Sequence, residues 1–419
     1  LLSGYPDETF RGNRALSRYE FASILAIVLE NLQRFNDRED DIRTVRQLQA
    51  IYQDALDVLK KRVQNLDGRL MDLEQQQFST TTKLSGRADL VLTNGTDAKA
   101  TVISRTRLNL NTSFSGQDML VAQLEAGNDG LDAIAINQER KGNRLSTLGL
   151  LADGGGLEMV GVPSQIRVRR LYYTFNPLDQ VTVAVGTALP PSDFIDRNRL
   201  ANTSGQNFAS SLFGNNPLIV QNEIDRIGGA GFAVDWRLQE NLAVRGLLAA
   251  ADAGSAQNGL FGDRYQASLE AEYQFKLPIT LRLQYTNARI NGTSINAVGV
   301  NGEWAITRYA AVFGRLGFGS YNGFNAVLSQ DLELSPKSWA VGGIFQNFII
   351  PGSKAGLALG QPFMSPDLGN RTQTNVEAYF GLLLNDSINF SPSLMYITNP
   401  DNKKGASIWQ WAIRMTYTF

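Results

Sequence analysis

The side chains with chemical potential here are carboxylates, lysines, tyrosines and many arginines, because the 419 residues contain neither histidine nor cysteine. That absence removes thiolate nucleophiles, Ser-His-Asp triads, zinc centres and imidazole acid–base work together, and disulfides with them. Glu270 and Glu272 are a carboxylate pair on one strand face, but a solvated wall explains them better than a hydrolase does. Arg167, Arg169 and Arg170 form the densest basic cluster. The runs Gly228-Gly229-Ala230-Gly231 and Asp153-Gly154-Gly155-Gly156 lack the lysine and helix of a phosphate loop. With 39 basic against 40 acidic residues, the chain lacks the basic excess of a nucleic-acid binder. No cofactor or metal is implied.

The elements that must position these residues alternate in polarity. Trp409, Trp411, Ile413, Met415, Tyr417 and Phe419 share one face, against Gln410, Ala412, Arg414, Thr416 and Thr418. Leu281, Leu283 and Tyr285 likewise oppose Arg282, Gln284 and Thr286. Such a strand, apolar toward lipid with aromatics near the interfaces, fits a transmembrane barrel. A soluble sandwich alternates too, so the connections decide. Short links fall near Ser115–Asp118, Asn176–Gln180, Gln239–Asn241, Lys276–Pro278, Thr307–Tyr309, Ile350–Lys354 and Asn385–Asp386. Long ones fall near Asn94–Ala100, Gly127–Ser164, Ala188–Arg226, Ala251–Asp263, Asn287–Thr293, Ser320–Pro336, Gln361–Gln373 and Asn399–Gly405. Short turns on one side and long loops on the other predict about sixteen antiparallel strands. The longest apolar run, Ile24 to Leu29, is too short for a membrane helix, and the chain reads as trimmed of its targeting segment.

A barrel of that size leaves an aqueous channel, whose mouth or constriction Arg167, Arg169 and Arg170 are expected to line, with a solvated rim as the alternative. Arg87, Arg105, Arg107, Arg237, Arg245, Arg282 and Arg315 are expected to face inward, against Asp89, Glu125, Asp235, Glu270, Glu272, Glu303 and Glu377. Near balance predicts weak charge selectivity. The third long link, Ala188 to Arg226, carries Asp193, Asp196, Arg197 and Arg199 with Phe194, Phe208 and Phe213. Its apolar residues need a surface to bury against, which predicts a loop folded into the channel; a flexible external loop is the alternative.

Upstream of the barrel the pattern is helical. Leu16 and Phe21 can staple across a helix start that Ser17 and Glu20 cap as a box. Gly4-Tyr5-Pro6-Asp7, Thr9-Phe10-Arg11 and Ser17-Arg18-Tyr19-Glu20-Phe21 closely resemble the second half of an S-layer homology domain. The resemblance implies wall-polymer binding through Ser17, Arg18, Glu20 and Asp7, with the first helix of the domain expected before Leu1. Glu20 as a plain cap and Arg18 as a solvated charge are the bland readings. From Asp37 a heptad seam runs Ile42, Gln49, Leu56, Val63, Leu70 and Val45, Tyr52, Leu59, Leu66, Leu73. It predicts a coiled coil about 60 Å long at ~1.5 Å per residue, with a single amphipathic helix packed on its own domain as the alternative. The expected organisation is therefore residues 1–36 as a partial wall-binding module, 37–78 as a stalk and 79–419 as a barrel.

Anchor, coil and barrel together resemble the major porins of cyanobacteria, of the carbohydrate-selective porin superfamily. A terminal aromatic such as Phe419 is a further likeness to outer-membrane barrels. The resemblance implies an outer-membrane protein, not an enzyme, that passes inorganic ions and small sugars. Its expected partners are outer-membrane lipid, peptidoglycan or a linked polysaccharide in the periplasm, and two further copies in a homotrimer. A mainly structural tether with a closed barrel is the rival reading.

Overall fold

The computed structural model describes residues 81–138, 143–147, 149–202 and 204–419, which lie within the compact unit Phe78–Phe419. The expected wall-binding module and stalk fall outside the described residues.

Sixteen staves form one antiparallel sheet closed on itself. They are β1 (Thr81–Gly95), β2 (Ala98–Ser113), β3 (Met119–Gly127), β4 (Arg167–Leu178), β5 (Val181–Leu189), β6 (Gly229–Gln239), β7 (Leu242–Ala250) and β8 (Tyr265–Gln274). Then follow β9 (Ile279–Ile290), β10 (Thr293–Ala305), β11 (Ala310–Asn325), β12 (Gln330–Leu334 continuing as Lys337–Gln346), β13 (Lys354–Met364), β14 (Thr374–Leu383), β15 (Ile388–Thr398) and β16 (Ile408–Thr418). Both pieces of β12 pair with β11, and Pro336, which has no N–H to give, stands in the gap between them. β1 pairs with β16 from Arg87↔Thr418 to Gly95↔Gln410 and closes the barrel. No described helix is long and apolar enough to cross a membrane.

The burial pattern is inverted relative to a water-soluble fold. The largest fully buried side chains are Arg105, Arg315 and Arg414, while Leu283, Leu269, Leu357 and Leu394 are each 55–58% exposed. Apolar exteriors around polar interiors are stable only where lipid replaces water outside. Trp236, Tyr273, Trp304, Phe345 and Tyr417 form an outward aromatic belt near the short turns, and Tyr285, Phe318, Tyr396 and Trp409 stand toward the other end.

Three expected long links are in fact tight turns. β1 and β2 are joined by Thr96-Asp97, and β9 and β10 by Asn291-Gly292. Both residues of the second turn have positive φ (53° and 85°), which Asn and Gly tolerate and a twisted hairpin favours. β11 turns over 326–329. The strands continue past the apolar band, where their outer faces become polar. Two connections are truly long, 128–166 and 190–228, and both fold inward.

Candidate functional site

The 190–228 segment is anchored along its length to inward side chains. Asp196 is fully buried at φ 59°, a left-handed conformation that Asp accepts. Its carboxylate accepts from Gln284 Nε2 (3.0 Å), Asn301 Nδ2 (2.7 Å) and the Asn216 amide (2.5 Å), and pairs with Arg315 at 3.2 Å. Arg315 in turn donates to Phe213 O (2.6 Å) and Gly214 O (2.9 Å). Glu377 accepts the amides of Ala209 (2.7 Å) and Ser210 (3.0 Å), and Arg414 donates to Asn207 O (2.8 Å). The aromatics add a dry core: Phe208 packs on Tyr379, Phe213 and Phe313 with ring centroids 4.9–5.7 Å apart. A polar wall and an apolar loop thus satisfy one another, as buried polar groups require.

The 128–166 segment enters beside it. Asp132 caps the short helix Ala133–Asn137 through the Ala135 amide (2.7 Å) and accepts from Gln410 Nε2 (3.1 Å). The two segments meet where Glu158 N donates to Ala209 O (2.9 Å) and Ser211 N to Gly156 O (3.0 Å). Arg226 reaches from one to Thr147 O (2.8 Å) and Val160 O of the other. The apolar residues Leu157, Met159 and Val160 are fully buried there. They are the signal that could have marked this segment as an internal one.

Together the loops cover the inner faces of β11–β16 and also pack on β5–β10, where Ile195, Leu218 and Ile219 bury in one cluster with Ala184, Leu189, Leu247, Ile290 and Ile295. An open volume of about 1340 Å³ remains beside β1–β10. Eleven arginines and nine carboxylates border it, and no lysine does. Arg107 pairs with Glu125 at 2.6 Å, as does Arg167, while Arg170 pairs with Asp193 at 2.5 Å. Opposite, Arg245 joins Asp235 (2.8 Å), Glu270 (2.8 Å) and Glu272 (3.2 Å), and Arg282 joins Glu272 (2.6 Å) and Glu303 (3.3 Å). Arg199 pairs with Glu303 at 2.8 Å yet leaves 71% of its side chain exposed. Arg197 and Arg237 border the space with no carboxylate partner among the described residues. Planar, always-charged guanidiniums held by carboxylates give a fixed lattice of donors and acceptors rather than a mobile charged brush.

Of the expected constriction residues, Arg107, Arg167, Arg169 and Arg170 border the open space, as do Asp193, Arg197, Arg199 and Arg282. Arg105, Asp196 and Arg315 do not: they are packed between loop and wall. Their charges hold the loops rather than face the opening. Ser17, Arg18, Glu20 and Asp7 lie outside the described residues. Glu158, Asp225 and Arg226 border the space too, although no motif or alternation marks them in the sequence.

Comparison with known proteins agrees with this geometry. Two cyanobacterial relatives, both uncharacterized proteins, span the whole chain. One from Nostoc sp. is 28% identical with 80% of its length covered, and one from Synechocystis sp. is 25% identical with 86% covered. Among solved structures, Pseudomonas putida OprB superposes with a TM-score of 0.62 at 12% identity, covering 83% of this chain and 96% of that one. The anion-selective porin from Comamonas acidovorans gives 0.53 at 10% identity, covering 81% and 100%. At such identities the likeness is one of fold. Residues 284–419 match the family described as carbohydrate-selective porin, OprB family, so a barrel with the fold of solved porins carries that family's sequence pattern over its last staves.

Proposed function

We propose that the protein is an outer-membrane porin through which inorganic ions and small sugars diffuse passively. One observation carries this reading: a closed barrel with an apolar exterior keeps an open space walled by paired arginines and carboxylates. Such a wall exchanges hydrogen bonds with hydrated solutes without trapping them, as conduction requires. Sugars enter the proposal through the family match over residues 284–419. Single-channel recording from refolded protein in planar bilayers, with sugar added to compete with ion current, is the test. Ohmic openings of weak selectivity are expected. Their absence in correctly folded protein would favour the tether reading, which the loop-filled part of the lumen also supports.

Residues 1–78 extend the proposal to the cell wall. The S-layer-homology pattern supports binding of peptidoglycan-linked polymer through Ser17, Arg18, Glu20 and Asp7, and the heptads support a stalk joining three copies. Arg18→Ala, in protein carrying the whole module, should weaken binding to isolated wall polymer while leaving helix content unchanged. Cysteines placed at Gln64 should cross-link between copies.

A further inference from the structure

Glu158 differs from the other carboxylates at the opening, because a loop supplies it while the wall supplies its partners. Its carboxylate takes Arg105 in a close ion pair and Arg107 Nη2 at 3.3 Å. Ser204, from the other loop, donates to Oε2 at 2.8 Å, and Arg87 Nη2 stands 3.5 Å from that hydroxyl. The remaining acids of the cluster are Asp89, 3.0 Å from both Arg87 and Arg105, and Glu125 on Arg107. These two lie behind the surface, at 2% and 1% exposure. The Glu158 side chain is 32% exposed, beside Arg87 and Arg107 at 18% and 14%. Glu125 borders the opening with almost none of its surface and Asp89 not at all, so an ion in the lumen meets chiefly Glu158 and two guanidiniums.

We propose that Glu158 is the group that sets charge selectivity: a resident carboxylate seated by the 128–166 loop in a three-arginine cradle that would otherwise hold a solute oxyanion. The inference rests on the barrel being a pore. Convergent guanidiniums are the usual recognition chemistry for carboxylate, phosphate and sulfate. A carboxylate supplied within the chain competes at high effective concentration, so dilute solute anions do not displace it. Neutralising it would open the cradle and widen the existing excess of arginines over carboxylates along the wall.

The test compares wild type, Glu158→Gln and Glu158→Asp as full chains in planar bilayers. Reversal potential is measured across a KCl gradient at low ionic strength, then inorganic phosphate is added. Glu158→Gln should raise the chloride-to-potassium permeability ratio severalfold, and millimolar phosphate should reduce its chloride current but not that of wild type. Glu158→Asp should stay near wild type. The difference should shrink in molar salt, where the screening length falls to about 3 Å. If Glu158→Gln does not refold, Glu158→Cys in this cysteine-free chain should regain the wild-type ratio on coupling to an anionic thiosulfonate and move further from it with a cationic one. An unchanged ratio in Glu158→Gln, whether or not conductance rises, overturns the proposal and leaves Glu158 as a loop latch. A silent wild type instead defeats the pore reading itself.

Discussion

At the residue scale, neighbours decide what acid does to the lumen. Burial alone would raise the Glu158 carboxyl, but Arg105 and Arg107 outweigh it and hold the group well below the usual range. Asp193 is treated the same way by Arg170. Asp153 has no such close partner. Burial pushes it up to about 6, and hydrogen bonds from Ser211 Oγ (2.6 Å) and the Gly155 amide (3.0 Å) offset only part of that. It borders the opening, so the lumen should become more positive as pH falls through about 6. The expected result is a chloride-to-potassium ratio that rises between pH 7.5 and pH 5, a step that Asp153→Asn flattens. The stability sign follows by linkage: the native state holds this proton more tightly than the unfolded chain, so stability is lost as pH rises through about 6. Asp153→Asn should therefore stabilise the protein at pH 8 more than at pH 4 in urea unfolding. On the outer face, Leu283 is 55% exposed in mid-strand. Leu283→Arg should cost ~2–4 kcal/mol of barrel stability in lipid, measured by the same unfolding.

At the scale of elements, the 190–228 loop is held by both an ion pair and a core. Phe208→Ala would empty the space between Tyr379, Phe213 and Phe313 and weaken the loop's seat by about 3–5 kcal/mol. Larger, noisier single-channel conductance with an unchanged barrel spectrum is the expected readout. Much of this element was legible beforehand. Phe208 and Phe213 in a long polar link demanded burial, and inward faces such as Arg282-Gln284-Thr286 declared themselves by alternation. Two things were not. Asn287 and Arg289 on β9 looked like loop because the outer face turns polar there, with Tyr285 and Asn287 both donating to Asn296 (2.9 and 3.0 Å). Lipid no longer dictates side-chain type at that height, so alternation fades before the strand ends. Nor could Arg105 and Arg315 be told from free lumen arginines. Strand position settles that they point inward, but only the loops' path settles what covers them.

At the scale of the whole molecule, the loops make the lumen eccentric: they cover β11–β16 and part of β5–β10, and the remaining space borders β1–β10 alone among the staves. Every stave has two hydrogen-bonded neighbours, and β15 already carries one non-donor, Pro392, opposite Ile413 of β16, so a second non-donor nearby would leave two gaps in the same ladder. Met415 stands opposite Leu90 on one side and Phe390 on the other. Met415→Pro should prevent formation of the compact, heat-modifiable species on gels, because β16 then loses a ladder bond at the joint between first and last staves.

That joint also sets the order of events in folding. Fifteen of the sixteen pairings join strands adjacent in sequence and can form as local hairpins. The last spans the whole barrel sequence, with Gly86 and Phe419 exchanging amide bonds of 2.8 and 3.1 Å. Contacts this distant carry the greatest chain-entropy cost and come late. Until they form, β1 and β16 each present a bare strand edge, open to pairing with any other chain. The seam between Arg87 and Thr418 is thus expected to close last, and it is where crowded copies would misjoin. Where and how fast it zips should govern the yield of native barrels more than any contact in the lumen.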